Sequence, residues 1–140
     1  MQEKKKFLSI TCEEICKLYN LLREDGEVSF PPSNESLPKL EALVENITSA
    51  SFGIEHYKTN EEKAVAYLYF IIKNHPFTDG NKRTASIVFL VLCDINDLHP
   101  DFFDFSLDEL VVFIEKTKIN DHQKFIGIVA KALFEKTFGL

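Results

Sequence analysis

Two stretches of this chain are apolar on almost every side when wound as helices: NEEKAVAYLYFIIKN at 60–74 and RTASIVFLVLCDI at 83–95. The polar run HPFTDGNKR, residues 75–83, joins them. A helix apolar all round has no face to give to water, so it must be covered by neighbours. Two such helices in succession make an αα unit at the centre of a bundle, with the polar junction at one end of it. Period-2 alternation, the mark of a half-buried strand, is absent from both stretches. The arrangement predicts an all-α fold.

The rest of the chain reads as helices that cover this pair. Ser or Thr followed three residues later by Glu occurs at Thr11/Glu14, Thr59/Glu62 and Ser106/Glu109. Each pair opens a segment of helical period, as a capping box does. The expected helices are Cys12–Arg23, Leu37–Ser51, Asn60 to about Asn74, about Lys82 to Ile95, Leu107–Thr117 and His122–Phe138. That makes a bundle of about six helices. Pro, Gly, Ser and Asn in EDGEVSFPPSNES, residues 24–36, mark a loop, in which EVSF has room for a short strand or hairpin. NDLHPDFFDF, residues 96–105, is a second irregular stretch.

With 140 residues, 45% of them hydrophobic, the chain has enough apolar surface for one core. We expect a single domain over 1–140. The net charge of −6 argues against direct nucleic-acid binding. No segment reaches the ~20 apolar residues of a membrane span, and none resembles a signal peptide. Cys12, Cys16 and Cys93 are odd in number and lack zinc-ligand spacing. They are expected as free thiols, with the protein in the cytoplasm. His56, His99 and His122 read as surface or capping residues. The tyrosines Tyr57, Tyr67 and Tyr69 read as core.

The junction concentrates polar chemistry. Pro76 ends the preceding helix near His75. Asp79 and Gly80 supply a turn, and the next helix starts at Asn81 or Lys82. Its first N–H groups have no internal partner and carry partial positive charge, which makes an anion site suited to phosphate. Lys82 and Arg83 stand in that first turn against the dipole and call for a counter-charge. A phosphate would supply it, with Arg83 able to grip in bidentate fashion. Asp79 is placed to hold Mg²⁺ beside such a phosphate. His75 is a candidate base for a hydroxyl. Phe77 is expected to point inward as the anchor of the loop. The alternative is a capped helix start with ordinary surface charges.

HPFTDGNKR resembles the signature of the Fic/Doc (Fido) family, H-x-F-x-[D/E]-G-N-x-R. His75, Phe77, Asp79, Gly80, Asn81 and Arg83 fill its positions. The resemblance implies a transferase that uses ATP and Mg²⁺ to modify a hydroxyl of a target protein. His75 would be the general base, Asp79 the Mg²⁺ ligand, and Gly80, Asn81, Lys82 and Arg83 the nucleotide phosphate site. VSFPPS, residues 28–33, falls where the family has the flap that holds its target.

Two positions depart from the AMP-transferring version, G-N-G-R-x-x-R: Lys82 replaces the second glycine and Ser86 the second arginine. NKRT is instead similar to Doc-type toxins, which are implied to seat ATP the other way round and to phosphorylate elongation factor Tu. The Fic domain of RhuM-type proteins also carries GNKR. Phosphotransfer is therefore favoured. AMP transfer is the alternative, as is a Fic-scaffold binding or regulatory module without activity. The family's inhibitory string, [S/T]-x-x-x-E-[G/N], is missing: VEN at 44–46 is preceded by Glu41 where Ser or Thr is required. Restraint by a separate antitoxin-like partner follows as an expectation. Family members often form oligomers.

Overall fold

The structure is a computed structural model that describes residues 5–134. It contains six helices and one two-stranded hairpin in the order α1 (Cys12–Glu24), α2 (Ser36–Thr48), β1 (Ala50–Ser51), β2 (Ile54–Glu55), α3 (Asn60–Asn74), α4 (Asn81–Ile95), α5 (Leu107–Lys116) and α6 (His122–Phe134). The fold is all-α, as the apolar pattern requires. The end expected for the last helix, residues 135–138, lies outside the described residues.

α3 is the axis of the bundle. Its residues from Lys63 to Ile72 are all buried, and α2, α4, α5 and α6 pack around it. The one charged group in that run, Lys63, meets Glu55 Oε1 at 3.1 Å. α4 departs from the expectation of burial on all sides. Thr84, Ala85, Val88, Phe89, Leu92 and Cys93 are buried, but Leu90 and Ile95 face outward. The cause is position: α4 lies against α1, α3 and α5, and nothing among the described residues covers its outer face.

Capping follows the sequence closely. Thr11/Glu14 and Ser106/Glu109 form complete capping boxes. At Thr59 only half the box forms: Thr59 Oγ1 accepts from Glu62 N at 3.0 Å and donates its own hydrogen to Glu62 Oε1 at 3.2 Å.

The hairpin is not where the sequence suggested. EVSF forms no strand, and the pairing lies at Ala50–Glu55, the first strand of which falls where α2 was expected to run on to Ser51. Phe52 and Gly53 both have positive φ, 54° and 78°, as in a type I′ two-residue turn. His56 braces the hairpin, with Nε2 2.8 Å from Ser51 Oγ and Nδ1 3.1 Å from Asn46 O. His99 pairs with Asp97 at 3.0 Å, and His122 hydrogen-bonds the hydroxyl of buried Tyr69. Tyr57 and Tyr67 are also buried. Cys12 and Cys16 are half-buried free thiols, and Cys93 is a buried one. No helix among the described residues is long and apolar enough to cross a membrane.

Candidate active site

The polar junction forms a tight loop between the C-terminus of α3 and the N-terminus of α4. His75 caps α3 in the left-handed region, at φ 48° and ψ 61°, because the helix must turn out of its path before Pro76. A non-glycine residue held there carries backbone strain. Gly80 caps α4 at φ 75°. A Cβ at this position would lie 2.2 Å from Val28 Cγ1, so glycine is required by conformation and by space alike.

Asn81 closes the loop from inside. Its Oδ1 accepts from Phe77 N at 3.0 Å, and its Nδ2 donates to Phe77 O at 2.8 Å. The same Nδ2 lies 3.4 Å from His75 Nδ1. The side chain is thus spent on loop geometry, and what Asn81 can offer a ligand is its backbone N–H. Phe77 is buried and stacks on Tyr19, with ring centroids 3.9 Å apart and planes 4° off parallel. Tyr19 in turn donates its hydroxyl to Phe30 O at 2.6 Å, which ties the irregular segment 28–33 to the same core. Burial first, and the Asp79 carboxylate second, push the Tyr19 hydroxyl up from its usual range.

The ladder of α4 begins at Thr84 N, bonded to Gly80 O at 3.0 Å. The N–H groups of Asn81, Lys82 and Arg83 therefore have no partner within the helix. They form an anion cradle at the positive end of the helix dipole. Asp79 makes no hydrogen bond or ion pair among the described residues, so its carboxylate is available beside that cradle. No cluster of three or more ligating side chains occurs among the described residues. Asp79 thus suits a Mg²⁺ ion completed by phosphate oxygens and water, the usual mode for this ion, and not a cage of protein ligands.

The counter-charges of the two first-turn cations come from the protein. Lys82 Nζ contacts Glu115 Oε2 on α5 at 2.7 Å, and Arg83 Nη1 contacts Glu27 Oε1 at 3.0 Å. The hydrogen bond from Lys82 holds the Glu115 carboxyl below its usual range, with the charges of Lys82, His75 and Lys116 acting the same way. Sequence inspection missed Glu27 and Glu115, because each reaches the site only through tertiary packing. A cavity of about 520 Å³ opens beside the cradle, lined by Leu22, Glu27, Lys82, Arg83, Ser86 and Asp108 among others. Ser86 occupies little of it, and its hydroxyl is turned back to Lys82 O at 2.9 Å.

Compared with known proteins, residues 9–93, more than half of the chain, match the model of the Fic/DOC family. The match runs from Ser9, just before α1, to Cys93 in α4 and includes the whole loop. Neither the curated proteins nor the solved structures contain a match.

Proposed function

Because the chain belongs to the Fic/DOC family, whose members are generally nucleotide-dependent transferases, we propose that it transfers the terminal phosphoryl group of ATP to a hydroxyl on a target protein. The observation that carries phosphotransfer is the cavity beside Ser86. Where an arginine at this position would project toward the phosphates, a serine leaves about 520 Å³ open at the end of the cradle. That volume lies within the range of small-ligand sites and accommodates a nucleoside. Leu22, Ile87, Val111 and Val112 give it an apolar wall for a base. In this reading a nucleoside seated there would direct its terminal phosphate, and not its α-phosphate, along the cradle toward His75.

In this scheme the free N–H groups of Asn81, Lys82 and Arg83 bind the transferring phosphate. Asp79 holds Mg²⁺, which supplies charge neutralisation on the phosphates. His75 Nε2 makes no hydrogen bond among the described residues and is open to a target hydroxyl. His75 takes the hydroxyl proton as the hydroxyl oxygen bonds to the terminal phosphorus. The bond from phosphorus to the bridging oxygen breaks, and ADP leaves. Positioning and electrostatics supply most of the acceleration, as is general for phosphoryl transfer. Segment 28–33 lies beside the site, its backbone held at Phe30 O by Tyr19 and its buried Val28 side chain set against Gly80, with the Phe30 side chain exposed. It is the proposed resting place of the target peptide. A Doc-like role as a toxin acting on elongation factor Tu, restrained by an antitoxin, fits the same scheme.

One observation favours AMP transfer. The Lys82 side chain is drawn away to Glu115 and leaves the cradle uncrowded, although it replaces a glycine of the AMP-transferring pattern. Position-labelled ATP separates the two. Incubation with a cell lysate and Mg²⁺ should move label from the γ-phosphate, and not from the α-phosphate, onto protein. Label moved from the α-phosphate would replace phosphotransfer by AMP transfer.

A further inference from the structure

The C-terminal end of α5 touches both ends of the candidate loop. Lys73, two residues before His75, sends its Nζ to the carbonyl oxygen of Thr117 at 2.7 Å. Lys82, directly after Asn81, sends its Nζ to Glu115 Oε2 at 2.7 Å. Both distances are those of charge-assisted hydrogen bonds, and the first bond is partly buried. Thr117 is the C-cap of α5, so its carbonyl is one of those a helix leaves unpaired at its end. A lysine amine there satisfies it and complements the negative end of the dipole.

These two bonds bracket residues 75–81. One fixes the last turn of α3, which carries His75. The other fixes the first turn of α4, which carries the cradle. α5 lies outside the part of the chain that matches the family model, residues 9–93. We propose that the end of α5 is a clamp that sets the spacing between His75 and the phosphate cradle, with Glu115 and Lys73 as positioning residues. Neither needs to touch the reacting atoms. The clamp gains its catalytic meaning from the transferase assignment, whereas its mechanical effect on the loop does not depend on it.

Spacing matters because transfer needs the hydroxyl, the base and the phosphorus in register, and a misplacement of about 1 Å can cost about 100-fold. The Lys73 tether acts on registration more than on ligand affinity, since the backbone cradle, Lys82 and Arg83 are untouched by its removal, whereas loss of the Glu115 tether also releases Lys82 to a phosphate.

The test is amide hydrogen exchange over residues 75–82 in the wild type, Lys73→Met, Lys73→Arg and Glu115→Leu, the last of which removes the acceptor of Lys82. Loss of one tether should speed exchange there about fivefold, with the buried stretch 64–72 unchanged. Lys73→Arg keeps a donor for Thr117 O and should exchange like the wild type. Identical exchange in all four proteins would overturn the clamp, whether or not the protein proves to be a transferase. In the transfer assay, Lys73→Met should lower kcat about tenfold with KM for ATP within threefold of wild type, and Glu115→Leu should lower kcat about as much while lowering KM for ATP, because Lys82 is released to the phosphates. Turnover equal to wild type in both variants would also overturn the proposal and leave the transferase assignment standing.

Discussion

At Gly80 two requirements coincide. The backbone is left-handed at φ 75°, and any Cβ meets Val28. Gly80→Ala should therefore cost about 2 kcal/mol in urea unfolding, from conformational strain together with overpacking. In the double variant with Val28→Ala the losses should sum to less than the two singles, because the smaller side chain removes the clash. A fully additive cycle would mean that backbone strain alone sets the cost. The sequence made Gly80 legible through Asp79-Gly80-Asn81, a turn signal at the mouth of a helix. It could not reveal Val28, which lies far away in the chain. The same holds for the charges. Lys82 and Arg83 stand in the first turn of α4 and were expected to await a phosphate. Instead Glu115 and Glu27 already face them, so any phosphate must compete with these carboxylates. Half-exposed pairs of this kind contribute little to stability, which leaves them open to exchange with a ligand.

Among the elements, helices were read well because their signals are local. Caps such as Thr11 and Ser106 sit within one turn of the groups they satisfy. The hairpin was missed for the opposite reason. ASFGIE puts a phenylalanine at φ 54°, where turn chemistry favours Asn, Asp or Gly, so no turn was read there and α2 was expected to run on to Ser51, through the first strand. Its position is held by His56 reaching back to Asn46 O, a contact with no local signature. Phe52 is fully exposed and makes no use of its side chain in the fold. Phe52→Asn should therefore raise thermal stability, by about 0.5–1 kcal/mol in a denaturant melt. A loss of stability would show that Phe52 is held by more than the turn. EVSF failed as a strand because Tyr19 and Gly80 hold Phe30 and Val28 as an irregular segment, with no partner strand beside it.

On the scale of the whole molecule, the fold serves to bury α3 and leave one of its ends chemically open. The ring of α2, α4, α5 and α6 excludes water from the run Lys63–Ile72, and the strain at His75 is carried by that rigid support. The family match stops at Cys93, while α5 reaches back to the loop through Glu115 and Thr117. The position of the loop could therefore be read from 75–86, but the way the bundle braces it could not.

The most direct measurement is the intact mass of purified elongation factor Tu after incubation with ATP, Mg²⁺ and either wild-type protein or His75→Ala. The account predicts a gain of one phosphoryl group with the wild type and none with His75→Ala, whose helical circular dichroism should match the wild type. An equal gain with His75→Ala, a gain of one AMP, or no gain on this target or on any protein of a lysate would contradict phosphoryl transfer by the His75 loop.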